Sequence, residues 1–188
     1  MIAQYFIVNG QPEKFLLEQV LPEEIVSHSR FILGNGYNTA ISKARSLLIS
    51  SELPVSLVVD SETTDTASIA EKHEFMTQSL RQLSTSEHFH IFLAIPELEI
   101  LFFHKKDRFE TLIRDTLSEQ QWEMAHYKPK AVLQNIFQTS NLQKTLQHWL
   151  TPEMIDYLRE TELIQHIIKS CRVMASDENP QSYEQEDG

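Results

Sequence analysis

The stretch Tyr5–Pro22, YFIVNGQPEKFLLEQVLP, decides the fold. Its aromatic and β-branched opening is the composition of a buried strand, set over Gln4–Val8. Asn9-Gly10 then breaks the run as a tight turn. Pro12 stands at a helix start, where its missing N–H costs little. Phe15, Leu16, Gln19 and Val20 approximate a buried stripe at helical spacing. Strand, turn and helix in direct succession open an alternating α/β chain.

The alternation repeats. RFILG (Arg30–Gly34) is a second strand, and NGYNTAISKARSLLIS follows as a helix. Asn38 or Thr39 is its expected N-cap, with Ile41, Ala44, Leu47 and Leu48 inward. PVSLVV (Pro54–Val59) is a third strand, with a helix from near Thr66. HFHIFLAIP (His88–Pro96) is a fourth. These segments predict a mainly parallel four-stranded sheet with helices on both faces. Beyond Pro96 the pattern is helical in PELEILFFH, DRFETLIRDTL, PKAVLQNIF, LQKTLQHWL and PEMIDYLRETELIQHIIKSC. The expected organisation is an α/β domain over 1–105, a helical appendage packed on it over 106–174, and a disordered acidic tail over 175–188.

Bulk properties narrow the function classes. The 188 residues are 41% hydrophobic and 23% charged, which suits a globular core. Net charge is −11. The last thirteen residues carry five acids and neither Lys nor Arg, leaving −6 on the body. That balance argues against a smooth basic face for duplex DNA, so nucleic acid is not the favoured partner and a local basic patch is the remaining route to one. The one compact basic run is His104-Lys105-Lys106-Asp107-Arg108. A single cysteine, Cys171, excludes an intramolecular disulfide and a cysteine zinc cluster. It fits a reducing, cytoplasmic setting. The N-terminus lacks a signal-peptide pattern, and no apolar run approaches the roughly 18 residues of a membrane span, so no membrane partner is expected.

In open parallel sheets, ligands bind beyond the carboxyl ends of the strands. There the sequence offers Asn9, Gly10 and Gln11, then Gly34, Asn35 and Gly36, then Asp60, Ser61, Glu62 and Asp65, and last Glu97 and Glu99. Asp60 and Glu62 are two apart, so continued strand geometry points both side chains to one side. Two carboxylates together suit Mg²⁺, which takes oxygen ligands and keeps several waters. Acids after a strand also cap helices or face solvent, and by itself the pair carries little. Glu97 and Glu99 suit the first turn of a helix after Pro96. His88 and His90 share a strand face but stand at the opposite end from the acids. GNGYNTA is a tight turn before a helix and lacks the lysine of a phosphate loop.

The segments IVNGQPEKFLLEQVLP, LVVDSETTD and AIPELEILFF together resemble the Toprim-like domain of the overcoming-lysogenization-defect nuclease group and its small stand-alone relatives. The resemblance covers about the first 105 residues. In that pattern the first strand ends in Glu-Gly, a later strand ends in Asp-x-Asp or a variant, and some small relatives continue into a Pro-Glu-hydrophobic-Glu segment. The family's acids bind divalent metal, and many members cleave or join phosphodiester bonds. Here the first-strand Glu falls on Asn9, the aspartate on Asp60, the second acid on Glu62, and the second Glu of the last segment on Glu99. Asn9 offers a neutral oxygen but cannot serve as general acid or base. The resemblance therefore implies a degenerate or weakly active member: an interaction module with a protein partner in a nucleic-acid-related or phage-defence system, with weak Mg²⁺ binding at most. The alternative it implies is a Mg²⁺-dependent nuclease in which Asp60 and Glu62 hold metal, Glu99 assists and Asn9 orients a ligand. Glu13, one turn into the first helix, has the reach to approach this group, although nothing in the sequence demands it.

Overall fold

The computed structural model describes residues 2–84 and 88–177. Four strands, β1 (Gln4–Val8), β2 (Ser29–Leu33), β3 (Val55–Asp60) and β4 (Phe89–Ala94), form one sheet in the order β2-β1-β3-β4. Every neighbouring pair is parallel. The expected α/β class and parallel sheet are present, with strand limits within two residues of those read from the sequence. Parallel strands need a crossover, and helices supply each one. α1 (Gln11–Val20) and the one-turn α2 (Glu23–Val26) link β1 to β2, α3 (Tyr37–Ser50) links β2 to β3, and α4 (Thr66–Arg81) links β3 to β4.

Side-chain alternation along the strands splits the core between the two faces. Ile7, Val55, Leu57 and Val59 pack with Ala40, Ile41 and Ala44 of α3 and with Met76 and Leu80 of α4. Phe6, Val8, Val58, Phe92 and Ala94 face the other way and pack with Leu16, Leu17 and Val20 of α1. The helical second half completes that layer. It begins with a 3-10 helix (Leu98–Phe103) and continues through α5 (Lys106–Ile113), α6 (Glu119–Ala125), α7 (Pro129–Ile136), α8 (Leu142–Trp149), α9 (Pro152–Arg159) and α10 (Glu162–Asp177). Phe102, Phe109, Leu133, Leu146, Tyr157 and Ile164 join one apolar cluster with the sheet.

Several local expectations are corrected. The stripe of α1 is Glu13, Leu16, Leu17 and Val20, with Gln19 exposed and Phe15 at the margin. α3 begins at Tyr37 after Gly36, which adopts φ 98°, so neither Asn38 nor Thr39 is its N-cap. α6 stands where no helix was expected, started by a capping box between Ser118 and Gln121. The long last helix is two, broken at Glu160–Thr161, where the Thr161 hydroxyl donates to the Leu158 carbonyl at 2.7 Å. α10 runs through Asp177, past the tail boundary expected at 175, and the rest of that expected tail lies outside the described residues. Gly34 is required by close approach: a Cβ there would stand 2.8 Å from the Ala40 Cβ and 3.0 Å from the Val8 carbonyl oxygen.

The basic run is used inside the chain. Lys105 and Arg108 both pair with Glu160, and Lys106 pairs with Glu119. His104 stacks on Tyr157 at 4.0 Å between ring centroids. The Tyr157 hydroxyl donates to the Phe102 carbonyl at 2.8 Å and accepts the Lys105 N–H at 3.3 Å, tying α9 to the end of the 3-10 helix. Tyr157→Phe should therefore lower unfolding free energy by about 2 kcal/mol, the cost of leaving buried polar groups unserved. Urea titration checks this, and a loss below about 0.5 kcal/mol would mean that the tie is not holding α9.

Candidate functional site

The order β2-β1-β3-β4 reverses direction between β1 and β3, and the crevice at such a switch point is where open parallel sheets bind ligands. Asn9 follows β1 and Asp60 ends β3, so both lie at this point. The Asn9 side chain hydrogen-bonds to Asp60. Asp60 Oδ1 accepts the Leu98 N–H at 2.9 Å, which draws the start of the 3-10 helix over the end of β3. Of the residues expected to meet, Asn9 and Asp60 do so directly.

Glu99 comes to the same place. It is 2% exposed, in the first turn of the 3-10 helix. Glu13 arrives from α1 and is 6% exposed, occupying the first place of that helix's buried stripe. Gly10 makes room for it, since a Cβ there would stand 2.9 Å from Glu13 Oε2. The compensating charge comes from far along the chain. Lys130, in the first turn of α7, places Nζ 2.8 Å from Glu13 Oε1 and 3.4 Å from Glu99 Oε1. Glu97, expected only as a first-turn acid, accepts the Lys130 backbone N–H at 3.1 Å. The N-cap residue Lys128 offers no side-chain bond, so the Glu97 carboxylate serves the first turn of α7, an arrangement its dipole favours.

Burial sets the electrostatics. It pushes Asp60 up to about 6, with the neighbouring Glu13 adding to the rise and Asn9, the Leu98 N–H and Lys130 opposing it. Burial pushes Glu99 up to about 7, against the pull of Lys130 and with Glu13 and Asp60 adding to it. Burial alone would lower the Lys130 ammonium, but Glu99 and Glu13 outweigh it and hold its pKa above the usual lysine value. One oxygen, Glu99 Oε2, is buried without a hydrogen-bond partner. Asp60 and Glu99 therefore hold protons more tightly than free carboxyls, beside one fixed ammonium.

Glu62 stands apart from this group. Strand alternation stops at Asp60, and Glu62 adopts φ 58°, so the shared side expected for the two acids does not follow. Its side chain is 71% exposed and reaches Lys72 at 3.7 Å. Among the described residues no group of three His, Cys, Asp or Glu side chains stands close enough to hold a metal ion. The donors as arranged do not fit a resident Mg²⁺, because the ammonium of Lys130 lies where Glu13 and Glu99 converge. Elsewhere, His90 stacks on Phe92, and burial, then His166, lowers its pKa. Cys171 is buried, and burial pushes its thiol up to about 11, the mark of a structural thiol rather than a nucleophile.

Sequence reasoning missed Lys130 altogether. Nothing local distinguishes it from any lysine near a helix start. Glu13 carried a signal, since it heads the i, i+3, i+4, i+7 series closed by Leu16, Leu17 and Val20. Among the described residues no helix is long and apolar enough to cross a membrane. No family model, no curated protein and no solved structure matches the chain.

Proposed function

We propose that this chain is a degenerate Toprim-like protein that acts as an interaction module, through a protein partner, in a nucleic-acid-related or phage-defence system. The observation that carries this reading is Lys130, whose ammonium lies against Glu13 and Glu99 beside Asp60. An internal cation held by two carboxylates at the switch point neutralises the charge that would attract a dication. Asn9 in place of an acid removes a further anionic ligand. Mg²⁺ is then at most a weak ligand, at millimolar Kd or above, about 4 kcal/mol at 1 mM. The second reading, a Mg²⁺-dependent phosphodiester-cleaving nuclease using Asp60 and Glu62, is favoured by the retained Asp60 carboxylate at the switch point.

Two measurements test the proposal. The wild-type chain should leave DNA and RNA intact in Mg²⁺ or Mn²⁺. Asn9→Glu combined with Lys130→Met restores an anionic ligand and removes the internal cation, so that variant should gain thermal stabilisation from Mn²⁺ where wild type gains little. Robust metal-dependent cleavage by wild type, abolished by Asp60→Ala, would establish the nuclease reading instead.

A further inference from the structure

β4 is an edge of the sheet. The His88 carbonyl accepts the Val55 N–H at 2.9 Å and the Ala94 carbonyl accepts the Ser61 N–H at 2.8 Å. In a parallel ladder a residue directs its N–H and C=O to the same neighbour, so the even-numbered residues of β4 serve β3. The backbone groups of Phe89, Ile91 and Leu93 consequently point away from the sheet, and among the described residues no strand lies beyond them. Natural edges carry lysine, proline or a bulge to prevent pairing. FHIFLA carries none of these.

The two ends of this edge differ in charge. Beside its start, His73, Thr77 and Arg81 of α4 line a cavity of about 170 Å³ with Phe89, His90 and Ile91. Beside its finish, the first turn of α10 with Glu162 lines a cavity of about 490 Å³ with Leu93 and Ile95. α10 repeats the order on its own face: Glu162 lies at the finish, His166 lies edge-on to Phe92 at 5.2 Å, and Lys169 follows towards the start. Arg81, Glu162 and Lys169 are exposed, and none has an ion pair among the described residues.

We infer that β4 is the interface of a homodimer, in which a second copy's β4 pairs antiparallel across a twofold axis and joins the two sheets into one. The inference rests on the reading of the chain as an interaction module and names its partner. An isologous twofold sets each start against the other copy's finish. On the α10 face that places the unpaired cation Lys169 towards the unpaired Glu162, and it brings outward-facing odd residues opposite one another so that their N–H and C=O groups pair. The identical edge supplies both the backbone ladder and the complementary charge.

The test is the mass of the full chain in solution at roughly 0.1 mM, where a dimer of micromolar Kd is nearly complete. Sedimentation should give twice the 21.9 kDa chain mass. Ile91→Pro removes an N–H that β3 does not use, so the ladder within the chain is intact and the variant should be monomeric. Glu162→Lys should weaken the dimer at least tenfold, and adding Lys169→Glu should restore it, a readout that does not depend on the proline variant folding. The Ile91 and Leu93 amides should exchange more slowly as concentration rises. A monomeric wild type, which would leave the edge to a strand of another protein, overturns the inference, as does a dimer indifferent to both Ile91→Pro and Glu162→Lys. The cleavage assay bears only on the functional reading, so the two can fail separately.

Discussion

Lys130→Met should lower the melting temperature by roughly 10 °C at pH 8, the equivalent of about 3 kcal/mol in a chain of this size. Methionine keeps the apolar stem and removes only the ammonium. Glu13 and Glu99, 7% and 2% exposed at their side chains, then face each other and Asp60 without a cation. The lower end of the range for a broken buried pair is appropriate, because the lysine itself is 33% exposed and water compensates part of the loss. The deficit should shrink at pH 5, where Glu99 takes up a proton and the repulsion falls. Adding Glu99→Gln should recover much of it at pH 8. Thermal unfolding of the single and double variants at both pH values checks each statement. A deficit equal at pH 5 and pH 8 would show that packing rather than charge is lost.

The second large effect is a pH dependence that runs opposite to the usual acid case. Most carboxylates in folded chains are stabilised as anions, and stability falls as they protonate. Glu99 is raised from 4.5 to about 7, with burial the leading cause. Between those values the folded chain keeps a proton that the unfolded chain has released. Stability from this group is therefore full below about pH 4.5 and is lost as pH rises through 7, by an amount on the order of 3 kcal/mol. Asp60, raised to about 6, acts in the same direction at lower pH. His90 and His104, whose pKa values burial lowers, act the other way below 6.5. The Glu99 contribution is accordingly the difference between wild type and Glu99→Gln. Relative to wild type, Glu99→Gln should gain stability between pH 5 and pH 8 in urea titrations. A constant difference across that range would mean that Glu99 is ionised throughout.

What the sequence made legible follows the range of the physics involved. The strands of the sheet were readable because burial on both faces writes itself into short runs such as VSLVVD, and the turn at Asn9-Gly10 punctuates them. Asn9 and Asp60 were found because strand ends are local features and the switch-point rule converts them into a place. Glu62 was misplaced because the alternation rule was carried two residues past the strand, into a positive-φ turn. Glu99 was placed by the Pro-Glu-hydrophobic-Glu resemblance. Lys130 was out of reach, because its partner Glu13 is 117 positions away and only tertiary packing joins them. The capping box that starts α6 was legible in SEQQ and was passed over.

The shared apolar cluster has a consequence for synthesis. Phe6, Val8, Val58 and Phe92 present their face of the sheet as soon as β4 is made, but Tyr157, Leu158 and Ile164, which help cover it, leave the ribosome more than sixty residues later. Arg159 closes the layer by donating to the Val20 carbonyl at 2.7 Å, across 139 positions. A nascent chain halted after the sheet thus carries a bare hydrophobic surface for the time needed to translate the remaining helices, several seconds at about 5–20 residues per second. Messages truncated before Pro152 should yield products that chaperones retain or that aggregate, even though every strand they encode is complete.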